Sequence, residues 1–327
     1  MNVLVAGGAG YIGSHAAQAL ARAGHDVWVF DNLSTGHRQA VPADRLIVGE
    51  LVDRDACEQA LRLHRIEAVL HFAACCYVGE SVTDPAKYYR NNVAATLTLL
   101  DAMRAAGVDR IVFSSTTAIY GALNELPIRE DAPPAPINPY GFTKRVVEQV
   151  LADYATAYGL GSISLRYFNA AGAAADGSLG EDHEPETHLI PLVLDVALGR
   201  RENITIFGDD YSTPDGTCVR DYVHVDDLAD AHVRALSHVK PGQAEAYNLG
   251  TGCGFSVQEV IDAARGVTGH AIPSATGARR AGDPAVLVAD AARAAQVLGW
   301  KPQIRELDEI IATAWRWRST NPEGYGD

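Results

Sequence analysis

The chain has 327 residues and a formal net charge of −14. That balance argues against nucleic acid or an anionic membrane as the main partner, while leaving room for an anionic small ligand at a local cationic site. The length fits two domains, or one enlarged α/β domain, with enough apolar content for a core.

Residues 3–6 read as a buried strand that runs straight from the N-terminus. No signal-peptide core precedes it, and no later run reaches transmembrane length. The turn Gly7-Gly8-Ala9-Gly10-Tyr11-Ile12-Gly13 follows, and then a helical pattern through Ile12, Ala16, Ala19, Leu20 and Ala23 that ends at Gly24. Its spacing reads as G-x-x-G-x-x-G from Gly7 or as G-x-G-x-x-G from Gly8. Such glycines let the backbone approach a pyrophosphate seated on the free amides of a helix N-terminus. A plain tight turn is the alternative; the strand before it and the helix after it favour a dinucleotide. The next strand, 27–30, ends in Asp31. An acidic residue there accepts hydrogen bonds from ribose hydroxyls and repels a 2′-phosphate, so NAD is expected rather than NADP.

Strands and helices keep alternating: strand 46–48, helix 53–64, strand 68–72, helix 84–106, strand 111–114, and strand 162–167 after a helix that begins near Asn138. This pattern predicts an α/β fold built on a doubly wound parallel sheet, the NAD-binding Rossmann architecture. Ligands of such sheets lie beyond the strand C-termini, where Asp31, Ala73, Ser114, Thr116 and Asn169 fall. The Pro-rich stretch 127–139 reads as a loop. Beyond residue 170 the alternation breaks down, with helical patterns near 189–199, 225–238, 256–268, 291–298 and 306–318. The expected organisation is an NAD-binding domain over 1–170 and a smaller C-terminal α/β substrate domain over 171–327. The boundary is soft, and some later segments are free to return to the first domain.

Five scattered cysteines (Cys57, Cys75, Cys76, Cys218, Cys253) have neither Cys-x-x-Cys nor paired zinc spacing. A reduced, cytoplasmic protein without a metal is expected, with Cys75 and Cys76 read as small buried residues rather than a redox pair.

In Asn138-Pro-Tyr-Gly-Phe-Thr-Lys144, Asn138 suits a helix N-cap and Pro139 the first helical position, which sets Tyr140 and Lys144 on one face. A phenol titrates near ~10 and is a poor base at neutral pH. One unit charge at roughly 6 Å, at an effective dielectric of about 20, lowers that by ~2 units. A second positive charge, such as an oxidised nicotinamide, would bring the phenol to about pH 7, where a general base works best. The pattern alone is also compatible with an ordinary amphipathic helix.

Together with the glycine turn and Ser114-Ser115-Thr116, this pair resembles the extended short-chain dehydrogenase/reductase superfamily. His71-Phe72-Ala73-Ala74, Val78-Gly79-Glu80-Ser81, Tyr88-Tyr89-x-Asn91-Asn92-Val93, Arg166-Tyr167-Phe168-Asn169, Val219-Arg220-Asp221-Tyr222 and Arg279-Arg280-x-Gly282-Asp283 are similar to the UDP-glucose 4-epimerase family within it. The resemblance runs the length of the chain. It implies that Tyr140 is the base and acid at the sugar O4, that Lys144 tunes it, and that Thr116 hydrogen-bonds O4. Gly7, Gly10, Tyr11, Ile12, Gly13, Asp31, Asn32, Glu50, Leu51, Phe72, Ala73, Ala74, Asn91, Ser114, Tyr140, Lys144 and Tyr167 would hold NAD. Thr116, Tyr140, Asn169, His188, Leu189, Thr205, Phe207, Arg220, Tyr222, Arg280, Asp283 and Leu287 would hold a UDP-hexose, with no chemistry assigned to His188. The resemblance also implies a homodimer through helices 84–106 and 140–158.

Three positions depart from the pattern. Thr116 stands where some members have Ser, Cys76 where some have Lys, and Glu50 where Asp is usual. Leu287 aligns with a position that helps set room for an N-acetyl group, so other UDP-sugars (UDP-GlcNAc or UDP-GalNAc, UDP-glucuronate, UDP-xylose) stay open. A 4,6-dehydratase would place Asp-Glu where Thr117-Ala118 stand. A non-catalytic NAD sensor on this fold is a separate reading, and the presence of Thr116, Tyr140 and Lys144 disfavours it.

Overall fold

In β1 (Asn2–Ala6) alternate side chains enter different cores. Val3 and Val5 join one hydrophobic cluster, and Leu4 and Ala6 join another on the opposite face. A strand buried on both faces belongs in the middle of a parallel sheet, and that is its position in the computed structural model of the chain. The structure describes residues 1–121, 126–280 and 283–326. Gly282 of the Arg279–Asp283 motif lies outside the described residues.

The other strands are β2 (Asp26–Asp31), β3 (Leu46–Val48), β4 (Ala68–His71), β5 (Arg110–Ser114), β6 (Gly161–Tyr167), β7 (Asn169–Ala171), β8 (Ile204–Phe207), β9 (Val219–His224), β10 (Ala244–Leu249), β11 (Gly254–Ser256), β12 (Ser274–Gly277) and β13 (Val286–Leu287). Seven of them form one sheet in the order β10-β6-β5-β4-β1-β2-β3. All its pairings are parallel. Strand order reverses between β1 and β4, which opens the crevice where such sheets bind ligands.

The helices are α1 (Tyr11–Arg22), α2 (Arg54–Leu63), α3 (Val78–Thr83), α4 (Pro85–Tyr88), α5 (Ala95–Ala106), α6 (Pro139–Tyr158), α7 (Leu189–Ala197), α8 (Val225–His238), α9 (Val257–Thr268), α10 (Ala292–Val297) and α11 (Leu307–Thr320). On one face of the large sheet Leu20, Leu228 and Trp300 pack, drawn from α1, α8 and the segment after α10. On the other, Leu61, Leu99 and Leu151 pack from α2, α5 and α6.

The segment predicted as a single helix over 84–106 is interrupted. A π-helical turn, Tyr89–Ala94, separates α4 from α5. The Asn92 side chain accepts from the Cys75 amide at 2.8 Å and donates to the Cys75 carbonyl at 3.0 Å. This bond pair draws the helix to the end of β4 and accompanies the widened turn, a device that π-bulges commonly serve at functional sites.

After β7 the chain builds a second layer. β9 pairs with β7, β11 and β13, while β8 pairs with β12. Ile190, Leu194, Ile206, Ile261 and Ile310 form its core under α7, α9 and α11. The chain then returns: β10 extends the large sheet beside β6, with Ala244 opposite Ser162 and Leu249 opposite Tyr167. Strand 244–249 is therefore a later segment that joins the first sheet, and α8 packs against one face of that sheet.

Candidate active site

The crevice at the C-terminal ends of β1, β2, β4 and β5 is lined by Gly7, Gly10, Tyr11, Ile12, Gly13, Asp31, Asn32, Glu50, Leu51, Phe72, Ala73, Ala74, Asn91, Ser114, Tyr140 and Lys144. Gly7 has φ +79°, and a Cβ there would sit 2.4 Å from the Ala73 amide nitrogen. A Cβ at Gly13 would sit 2.2 Å from the Gly7 carbonyl oxygen. Only bare backbone fits the turn. Gly10 precedes α1 without a side-chain cap, so the first amides of that helix face the crevice free to receive an anion.

Asp31 closes the far side. Its Oδ2 accepts from the Ala9 amide at 2.9 Å and its Oδ1 from the Leu33 amide at 2.8 Å. Burial raises this carboxyl above its ordinary range, and the amides of Leu33 and Ala9 partly offset the rise. A fixed carboxylate suits ribose hydroxyls and opposes a 2′-phosphate, so the cradle fits NAD. Beside it, Asn32 donates to Glu50 Oε2 at 3.1 Å.

Tyr140 and Lys144 stand on the first turns of α6 because Asn138 caps it. The Asn138 side chain accepts from the Gly141 amide at 2.8 Å, with Pro139 at the first helical position. Lys144 is buried, donates to the Ser114 carbonyl at 2.8 Å, and holds its ammonium 5.9 Å from the centre of the Tyr140 ring. Burial drops the Lys144 amine to about 8. Burial drives the Tyr140 phenol well above its ordinary value, and contact with Thr116 pulls it down. The chain's own groups therefore do not bring the phenol to neutrality. Burial is the largest influence on it.

Thr116 and Tyr167 are buried and are not among the residues that line the crevice. The Thr116 hydroxyl accepts from the Ala118 amide at 3.1 Å, and Tyr167 shares a 2.5 Å hydrogen bond with the Ser114 hydroxyl.

The residues expected at the nucleotide-sugar end gather on the second layer, apart from the crevice lining. Asn169 pairs in register with Tyr222 and donates to the Asp221 carbonyl at 3.0 Å. Arg220 lies opposite Leu287 in the β9–β13 pair and forms an ion pair with Asp283. The Arg280 guanidinium stacks 4.1 Å above the ring of Phe207, which is exposed. Thr205 lies on β8, and Leu189 opens α7, half-buried. His188, just before it, contacts Glu181 at 2.8 Å.

With this geometry in view, comparison with known proteins is decisive. Residues 3–250 match the model of the NAD dependent epimerase/dehydratase family. The chain belongs to that family. A curated relative, UDP-glucose 4-epimerase of Lacticaseibacillus casei, is 51% identical over 100% of this chain and 99% of its own. Among solved structures, UDP-glucose 4-epimerase from Brucella ovis in complex with NAD superposes with TM-score 0.93 at 52% identity, covering 96% of this chain and 97% of that one. The Bifidobacterium longum enzyme in complex with NAD+ and UDP gives 0.93 at 41% identity, over 99% and 100%.

Against the pattern of this NAD-dependent family, one expectation changes. Cys75 and Cys76 are not a buried pair: Cys75 is half-buried, Cys76 is exposed, and both line the crevice because the chain leaves β4 directly into it. Sequence reasoning also passed over Glu148. It sits one turn beyond Lys144, accepts from Ser115 at 2.6 Å, and grips Arg166 through bonds of 2.9 and 2.6 Å. Arg166 in turn donates to the Tyr120 hydroxyl at 2.7 Å. This buried network ties α6 to the strand ends that carry Ser114 and Tyr167. The i, i+4 spacing from Lys144 was the available signal.

Proposed function

We propose that this protein interconverts UDP-galactose and UDP-glucose by NAD-dependent epimerisation at C4. The observation that carries the reading is the Lys144 ammonium held beside the Tyr140 phenol at the edge of a dinucleotide cradle. NAD held in this cradle would supply the acceptor and donor for the C4 hydride and a positively charged ring beside Tyr140. Tyr140 takes the proton of the sugar 4-hydroxyl and later gives it back. Lys144 favours the phenolate, and the Thr116 hydroxyl steadies O4. Asp31 accepts the ribose hydroxyls, and the glycine turn with the α1 amides receives the pyrophosphate.

Arg220 and Arg280, with Asn169 and Tyr222, hold the UDP end, and Leu189, Thr205, Phe207, His188 and Asp283 surround it. Two guanidiniums suit a diphosphate. A firm grip there and a loose one on the hexose let the flat keto sugar turn over between the two half-reactions. Leu287, half-buried on β13, is of intermediate bulk and bears on which hexoses enter. Proton NMR with UDP-galactose, UDP-GlcNAc, UDP-glucuronate and UDP-xylose tests the reading. Fastest C4 inversion of UDP-galactose is expected, and fastest inversion of another sugar would reassign the substrate.

The same reading takes the working unit as a homodimer. Val82, Tyr89 and Phe142 are exposed apolar side chains on and beside the two helices that would form the bundle, with the Tyr89 and Phe142 rings 6.4 Å apart. Sedimentation at micromolar concentration should give twice the chain mass; a monomer would contradict it. A cytoplasmic location, supported by five unpaired cysteines, is checked by cell fractionation.

A further inference from the structure

Between β7 and α7 the stretch Glu-Asp-His-Glu-Pro-Glu-Thr-His, residues 181–188, folds four side chains toward one point. One ligand atom each from Glu181, His183, Glu186 and His188 lies within 4.8 Å of all the others. His188 Nδ1 is 2.8 Å from Glu181 Oε1 and 3.0 Å from Glu186 Oε1. His183 Nδ1 is 3.3 Å from Glu181 Oε1 and 3.6 Å from Glu186 Oε2.

A second observation bears on what the point holds. Glu186 Oε1 is fixed by the amides of Thr187 and His188, at 2.7 and 2.8 Å. That leaves Oε2 turned toward His183. Glu186 Oε2 and His183 Nδ1 are both buried without a hydrogen bond, on side chains 8% and 12% exposed. His183 Nδ1 stays within ion-pair range of both carboxylates, yet neither it nor Glu186 Oε2 has a hydrogen bond, which is costly for buried polar atoms. The rings of Tyr11 and Tyr77 wall the pocket edge-on to His183, at 6.3 and 6.2 Å.

We propose that Glu181, His183, Glu186 and His188 form a binding site for one divalent first-row transition-metal cation. Two carboxylates and two imidazoles give a mixed O/N donor set of the kind that suits zinc, cobalt or manganese. A dication balances the two carboxylate charges, and each ligand offers an inward atom. All four ligands lie on eight consecutive residues, so the cation closes the 181–188 loop onto itself. It anchors that loop between Tyr11 at the start of α1 and the start of α7. The position is structural: the cation clamps the wall of the crevice that His183 lines.

Cobalt(II) is a direct probe, because its visible d–d absorption reports ligand number and type. Full-length protein, stripped with chelator and dialysed, is titrated with Co2+ and, separately, with Zn2+ under equilibrium dialysis. One bound cation per chain is expected, with a rise in melting temperature. His183→Ala and Glu186→Gln should each weaken binding on the order of 100-fold or more, whereas His270→Ala, on the exposed surface, should leave it unchanged. No bound cobalt in the wild-type protein would overturn the site, as would binding that persists in both cluster variants. The wild-type stoichiometry decides the matter even if a variant fails to fold.

Discussion

The Lys144 ammonium, pinned by the Ser114 carbonyl at 2.8 Å, lies 5.9 Å from the centre of the Tyr140 ring. β5 supplies the anchor and α6 supplies both side chains, so the charge is set in place before any ligand arrives. Burial holds the Lys144 amine down at about 8 while it drives the Tyr140 phenol up. The amine thus titrates near neutral pH, while the phenol stays protonated until a further positive charge enters the crevice.

Lys144→Met removes the fixed charge without adding one. Turnover at pH 7 should fall by ~10²–10⁴-fold, and the variant's rate should climb with pH beyond the point where the wild type levels off. A variant within a few-fold of wild type at pH 7 would show that the ammonium does not act on the phenol.

Glu148 and Arg166 are 6% and 9% exposed in their side chains and clasp each other through two hydrogen bonds. Glu148→Leu would leave a guanidinium buried without its carboxylate, at a loss of about 3–5 kcal/mol of stability. Urea denaturation should show the midpoint falling accordingly. An unchanged midpoint would mean that the network does not hold α6 to the sheet.

Three buried histidines make the fold sensitive to acid. Burial, with Lys144 adding to it, lowers His71 to about 3; burial lowers His224 and His232 to about 4. In the unfolded chain each titrates near ~6.5. Below that value the unfolded chain binds protons that the folded chain refuses. Their stabilisation is therefore complete above pH ~6.5 and is lost as pH falls toward the folded values. Between about pH 5.5 and 4.5 the loss approaches three protons, or ~4 kcal/mol per pH unit. Denaturation midpoints across that window should drop steeply, and His71→Gln should remove about a third of the slope. A flat profile would contradict the assignment.

Much of the fold was legible because its signals are local. The alternation of Val3, Leu4, Val5 and Ala6, the glycine turn, Asp31 at a strand end and the Asn138–Pro139 cap each act within a few residues. What escaped depends on contacts distant in sequence. The π-helical turn accompanies Asn92 reaching Cys75, 17 residues away. The return of β10 to the first sheet depends on pairing with β6, and neither strand announces its neighbour. The elevated Tyr140 phenol reflects burial, which spacing along a helix does not report. The Glu181–His188 cluster lies on contiguous residues, but its convergence needs the loop to fold back on itself.

The central claim is that Tyr140 moves the proton in an epimerisation at C4. Proton NMR of the purified protein with UDP-galactose, run beside Tyr140→Phe at equal folded concentration and equal NAD content, tests it most directly. The account predicts growth of the UDP-glucose anomeric signal with the wild-type protein and a rate lower by ~10²–10⁴-fold with the variant. Equal rates in the two proteins, or no UDP-glucose from the wild type with NAD supplied, would contradict it.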